Sequence, residues 1–195
     1  MFPGSKFGGP AFINFGKNNE NAVDSFIYAV SADQWDNGSE LRLGRVPMKD
    51  IMNASSWEWV SQLHSEKEPY WTHELNNSVP VLSNDGRISM PEMIYLAPIK
   101  KFLLLTWSLN QDFSPRDGST LYIYESSNPW GPFTLFHKED PWENEQVTPY
   151  CPRLPLKWLS HSDGKITGWL QFSGGWYPGS EYYRSNIRPF ELTFR

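Results

Sequence analysis

The 195-residue chain has little of several features that mark common functional classes. It contains one cysteine, Cys151, so no disulfide can form within the chain. Charged residues make up 20% of the sequence, the formal net charge is −5 and no basic stripe is present. We therefore expect no nucleic-acid partner. No apolar run approaches the length of about 18 residues that a spanning helix needs, so we expect no membrane partner either.

Sequence signatures of several kinds of active site are also missing. The chain has neither a P-loop nor a Gly-x-Gly-x-x-Gly to hold a phosphate, and no Gly-x-Ser-x-Gly nucleophile elbow. No His/Cys/Asp cluster has the spacing of metal ligands. We therefore expect no cofactor, and a structural calcium ion stays an open alternative that no residue pattern indicates.

Aromatic residues and turn formers are abundant instead. Aromatic residues make up 16% of the chain, which has ten Trp, 16 Pro and 14 Gly. This composition is typical of many short strands joined by turns. No stretch keeps a 3.6-residue hydrophobic period over three turns, so the sequence predicts an all-β chain.

The same order of residue types recurs three times along the chain. Each copy begins with an apolar run near a proline (Pro10, Pro91 and Pro149) and continues through strand-like runs separated by polar turns. Repeats of several short strands predict a β-propeller in which each copy is one blade. We predict one partial propeller domain over 1–195. Its blades are expected at roughly 10–63, 70–140 and 147–195.

Three blades are fewer than the about four to eight of a closed propeller. The sequence therefore predicts a truncated or partial propeller, and the alternative is a complete, smaller β assembly. An uncapped end leaves an apolar face and a bare strand edge, so self-association through an exposed blade edge is expected.

The N-terminal segment MFPGSKFGGP has neither the basic nor the apolar region of a signal peptide. Either the protein is not exported, or this N-terminus is not that of the full-length parent. We expect the full-length parent to be extracellular.

The order of segments in the first half of the chain resembles a known family. The strand FIYA is followed by VSADQWDNG, ELRLGRVP, the aromatic WEW, Trp71 and then PVLSNDGRISMPEMIY. This order is similar to that of the domain of unknown function 4185 group, which are five-bladed β-propellers similar to glycoside hydrolase families 43, 32 and 62. The resemblance extends from about Gly9 to Phe194. It implies a protein that acts on or binds glycans, with arabinofuranose-containing polymers as candidate substrates, and it implies that N-terminal blades are absent here.

Glycoside hydrolysis needs two carboxyl groups, one to protonate the leaving oxygen and one to activate water or attack carbon. The resemblance implies that they stand where innermost strands begin, at Ala11, Glu92 and Cys151/Arg153, and only Glu92 is acidic. Its apolar neighbours would raise its pKa and suit a general acid, whereas the alternative is a solvated carboxylate or one bonded to an Arg. Asp24 is the second catalytic candidate and fits a turn residue equally well. The resemblance places the usual base in a missing blade, which implies that this chain alone is inactive.

Sugar binding needs flat aromatic rings against the apolar faces of sugars and polar groups for the hydroxyls. For each Trp the alternative is packing between blades. The candidates are Trp71, His73, Trp107, Tyr150, Arg153 and Trp176. Two functions remain open: a glycoside hydrolase-like propeller, or a non-catalytic glycan- or protein-binding propeller or inactive fragment.

Overall fold

The computed structural model describes residues 5–64, 67–110 and 117–193. Almost all regular structure in these residues is extended, and the helical segments are single turns of 3-10 helix. Those turns are Ser5–Phe7, Lys17–Asn19, Met48–Asp50, Ala54–Ser56, Leu75–Asn77 and Leu156–Trp158. The strands are β1 (Ala11–Phe12), β2 (Asn14–Phe15), β3 (Phe26–Ala32), β4 (Gly38–Pro47), β5 (Glu58–Gln62), β6 (Tyr70–Thr72), β7 (Leu82–Ile88), β8 (Glu92–Leu96), β9 (Lys101–Leu109), β10 (Ser119–Ser126), β11 (Thr134–Glu139), β12 (Tyr150–Arg153), β13 (Ser160–Ser162), β14 (Lys165–Ser173) and β15 (Ser185–Thr193). The all-β prediction is confirmed. No helix among the described residues is long and apolar enough to cross a membrane.

These strands form three sheets. The first has the order β1-β3-β4-β5-β6 with β7 also paired to β4, the second β11-β10-β9-β8-β2, and the third β12-β14-β13 with β15 on β14. Every pairing is antiparallel except that of β2 with β8. Strands β6 and β7 lie within the range 70–140 but pair with the first sheet.

The strands that begin at Ala11, Glu92 and Tyr150 stand at one side of their sheets. β1 and β12 are terminal in their sheets, and β8 is followed only by the two-residue β2. β8 contacts both β1 and β12. The three sheets therefore meet along β1, β8 and β12. The first residues of these three strands lie close together as a result.

Among the described residues, the core forms three clusters, two of which lie on either side of the second sheet, while the third packs around Trp57 and Trp59 at the first sheet. Phe102 and Leu104 of β9 pack with the first sheet, whereas Leu103 and Leu105 pack with the third. Because successive side chains of a strand point to opposite faces, a strand buried on both faces must be apolar throughout. This accounts for the uninterrupted apolar run of β9.

Candidate functional site

Four aromatic rings from all three sheets converge where β8 and β12 begin. Trp35 comes from the loop between β3 and β4, Trp107 from the end of β9, Tyr150 from the start of β12 and Trp176 from the segment after β14. Every pair of these rings is in contact, with centroid distances from 4.6 Å for Tyr150–Trp176 to 5.8 Å for Trp107–Trp176. Several pairs are edge-to-face, the favourable arrangement for aromatic side chains. We call these four residues the aromatic cluster.

The members of the aromatic cluster differ in exposure. Trp107 has no accessible surface, whereas Trp35 is 46% exposed and Tyr150 and Trp176 are half-buried. Trp107 therefore supports the cluster from beneath, and its burial argues against the ligand contact predicted for it. Trp35, Tyr150 and Trp176 present the surface that a ligand can reach.

The loop that carries Trp35 is fixed to the second sheet. The backbone carbonyl of Trp35 accepts from Met90 N at 3.0 Å. The Asn37 side chain accepts from Leu109 N at 2.9 Å and donates to Leu109 O at 3.4 Å, and Asn37 N donates to Ser89 Oγ at 2.9 Å. Trp35, although 46% exposed, is therefore held in place by the hydrogen bonds of its loop as well as by its ring contacts in the aromatic cluster.

Glu92 lies beside the aromatic cluster at the start of β8. It pairs with Leu105, two residues before Trp107, so these three side chains share the face toward the third sheet. Glu92 is 9% exposed, and its Oε2 accepts a short hydrogen bond from Leu154 N. Burial raises the pKa of Glu92, while the Leu154 bond and the charge of Arg153 act in the opposite direction.

Arg153 joins the starts of β8 and β12. Its Nη1 donates to Pro91 O at 2.9 Å and to Pro152 O at 3.1 Å. Cys151, next to it, is a free thiol whose pKa is raised by burial, so it lacks the thiolate character of a reactive cysteine. Two of the predicted groups, Glu92 and Arg153, are thus neighbours at the edge of the cluster.

The comparisons with known proteins bear on the fold. No family model matches the chain. No curated protein matches its sequence. A candidate hydrolase from Bacteroides ovatus superposes with a TM-score of 0.52 and 15% identity, covering 90% of this chain and 44% of that protein. The catalytic domain of a GH62 α-L-arabinofuranosidase from Coprinopsis cinerea superposes with a TM-score of 0.51 and 12% identity, covering 98% of this chain and 55% of that domain.

The chain has a β-propeller fold. It spans about half the length of these two solved structures. The propeller prediction is confirmed. β8 contacts both β1 and β12, so the aromatic cluster, Glu92 and Arg153 lie together where the three sheets meet. We call this end of the junction the mouth.

Asp24 lies away from that mouth. Its Oδ1 accepts from Phe26 N at 2.8 Å and its Oδ2 accepts from Tyr28 Oη at 2.8 Å, which closes a turn before β3. Asp24 and Tyr95 line the same cleft, and Tyr95 is about 10 Å along β8 from Glu92. The two predicted catalytic carboxylates therefore do not face each other across one pocket, and the turn-forming alternative describes Asp24.

Trp71 and His73 also lie outside the aromatic cluster. Trp71 is on β6, paired with Val60 at the far side of the first sheet from β1. The guanidinium carbon of Arg45 lies 3.9 Å from the centroid of the Trp71 ring. His73 Nδ1 is 2.9 Å from Trp57 O. Sheet order separates these two residues from the other predicted sugar contacts.

Trp35 is the site residue that sequence reasoning missed. It stands in the polar segment SADQWDNG, where no apolar neighbour in the sequence accounts for a Trp. A Trp in a polar turn segment is the sequence feature that could have marked Trp35 as a site residue. Within residues 5–64, 67–110 and 117–193, no group of three or more His, Cys, Asp or Glu side chains could hold a metal ion.

Proposed function

We propose that this propeller binds glycans at the mouth formed by Trp35, Tyr150 and Trp176. The observation that carries the proposal is the convergence of aromatic side chains from three sheets around an exposed, fixed Trp35. Sugar rings present apolar C–H faces that stack on aromatic rings. A ring fixed in advance loses little conformational freedom on binding, so more of the contact energy contributes to affinity.

A second candidate function is hydrolysis of glycans, as in a glycoside hydrolase-like propeller of the domain of unknown function 4185 group. Glu92 supports it, because burial raises the pKa of this carboxyl at the start of β8, as a general acid requires. The charged group that acts on the pKa of Glu92, however, is Arg153, a cation rather than a second carboxylate. The geometry therefore favours glycan binding by this chain, and we propose that hydrolysis would need a base outside it.

The substrate class, the location and the association state are further parts of the proposal. The GH62 arabinofuranosidase among the structural neighbours makes arabinofuranose-containing polymers the first glycans to test. Such polymers are encountered outside cells, so we propose an extracellular location. Self-association is proposed through β15, a nine-residue strand whose only partner among the described strands is β14.

The test is a binding and hydrolysis panel on the same protein. Isothermal titration calorimetry would use arabinan and arabinoxylan oligosaccharides, with cello-oligosaccharides as the comparison, and released sugars would be quantified by chromatography. We expect saturable binding that Trp176→Ala weakens, without released sugar. Sugar release that Glu92→Gln abolishes would support hydrolysis instead, and no binding to any glycan would refute both functions.

A further inference from the structure

A second cleft lies at the opposite end of the propeller, between the first and second sheets. It has a volume of about 300 Å³ and is bordered by the start of β3, the end of β8, the start of β9 and the segment after β10. Its lining residues are Phe15, Val23, Asp24, Tyr28, Glu68, Tyr95, Phe102, Ser127, Asn128, Pro129 and Trp130. None of the residues of the aromatic cluster contributes to it.

Five of the eleven residues that line this cleft are aromatic. Phe15 stands at the centre, with its centroid 5.9 Å from Tyr28, 5.9 Å from Tyr95 and 5.5 Å from Phe102. Tyr95 and Phe102 are 4.9 Å apart, and Trp130 lines the cleft beside them. The contacts among the rings fix their positions, so the wall exists before any ligand arrives.

The charge of the cleft is of one sign. The carboxylates that line it are Asp24 and Glu68, both exposed, and no Lys, Arg or His is among the residues that line it. Glu68 forms an ion pair with Arg45 at 2.7 Å, and Arg45 also pairs with Glu58 at 2.9 Å. Two carboxylates thus share one guanidinium, and Asp24 adds a third negative charge to this region, which leaves an excess of negative charge.

The negative charge that Arg45 does not balance includes the carboxylate of Asp24. Its two hydrogen-bond partners, Phe26 N and Tyr28 Oη, are neutral donors, and in the described part of the chain no cation forms an ion pair with it. Burial and the bond to Asp24 raise the pKa of Tyr28, which therefore stays a neutral phenol at ordinary pH. The carboxylate charge remains available to a ligand.

The same region already places a cation on aromatic rings. The guanidinium carbon of Arg45 lies 4.4 Å from the centroid of Phe26 and 3.9 Å from that of Trp71. Aromatic faces attract cations through their quadrupole, and the attraction grows when the site is partly shielded from water. The cleft offers the same two components, aromatic rings and carboxylates, and Arg45 reaches its edge through Glu68 and Tyr28 without lining it.

We infer that this cleft is a binding site for a small organic cation, a primary or quaternary ammonium compound. A neutral sugar would leave the charge of Asp24 uncompensated, whereas an ammonium group satisfies the carboxylate and the aromatic wall together. The volume exceeds what one ammonium headgroup fills, so the ligand has room for a short uncharged chain. This site is independent of the glycan-binding mouth.

The experiment is an NMR titration of the full chain with choline chloride, n-butylammonium chloride and 3,3-dimethylbutan-1-ol, the neutral carbon analogue of choline. Both cations should shift the Trp130 indole N–H resonance but not that of Trp176. The neutral analogue should bind about tenfold more weakly, the expected effect of losing one partly exposed charge contact. Comparison of the two cations tells a quaternary from a primary ammonium preference.

Two variants test the role of the charge. Asp24→Asn keeps an oxygen acceptor for Phe26 N but removes the carboxylate charge, and Asp163→Asn makes the same charge change in the turn between β13 and β14. Cation affinity should fall about fivefold or more in Asp24→Asn and stay unchanged in Asp163→Asn. Equal binding of the neutral analogue, equal effects of the two variants, or no binding of either cation would overturn the inference.

Discussion

Replacing Trp35 by Ala is the most direct test of the aromatic mouth. Trp35 is 46% exposed, so of the about 250 Å² that a Trp side chain can bury, roughly 115 Å² is open to a ligand. A sugar ring covers one face, about half of that area. At about 25 cal/mol per Å², the lost contact costs about 1.5 kcal/mol, which is roughly a tenfold rise in Kd.

Calorimetry with the glycan that binds best in the panel would measure this change. Trp158→Ala is the matched control, because Trp158 is 47% exposed but lies in the Leu156–Trp158 turn of the third-sheet region, outside the aromatic cluster. Trp35→Ala also loses ring contacts to Trp107, Tyr150 and Trp176, each worth about 0.5–1.5 kcal/mol, so urea denaturation should show a lower stability. An unchanged Kd in folded Trp35→Ala, or an equal loss in Trp158→Ala, would refute the assignment.

Two further predictions concern stability. Burial raises the pKa of Glu92 above its ordinary 4.5, so the contribution of this carboxyl to stability becomes unfavourable as pH rises through the unfolded and then the folded pKa. Glu92→Gln keeps an acceptor for Leu154 N and should therefore be more stable than the parent protein at pH 8 and equally stable at pH 3. Urea titrations showing the opposite trend would contradict this. Arg188 binds Glu139 through both nitrogens across the second and third sheets and is partly buried, so Arg188→Met should cost about 1–3 kcal/mol. Lys165→Met, which breaks an exposed pair, should cost less than about 1 kcal/mol, and equal losses in the two variants would argue against the bridging role of Arg188.

The candidate site could be predicted from the sequence only in part. Tyr150, Trp176, Arg153 and Glu92 were each identified from local context, and the structure brings them to one mouth. Their convergence depends on how three sheets pack, which no local pattern encodes. Trp35 escaped notice because its segment has the polar composition of an ordinary turn.

Asp24 and Trp71 show the opposite case. Both have a residue type and a strand-edge position that fit the predicted roles, and both lie elsewhere in the fold. Their positions in the sequence correctly indicated that Asp24 and Trp71 lie near strand ends. Which strand ends lie together at the mouth, however, depends on the order of the strands in the sheets. That order follows from long-range pairing, as when β7 crosses to pair with β4.

The sequence by itself determined the all-β class and the strand that begins at Glu92. Alternation of side chains, turn-forming residues and an apolar run that tolerates burial on both faces are local properties, so they can be read along the chain. The tertiary structure alone decided which rings meet, that Trp107 is covered while Trp35 is exposed, and that Glu92 is buried and accepts a hydrogen bond from Leu154 N. These outcomes depend on contacts between residues far apart in sequence, because burial and pKa are set by what packs around a side chain and not by its neighbours in the chain.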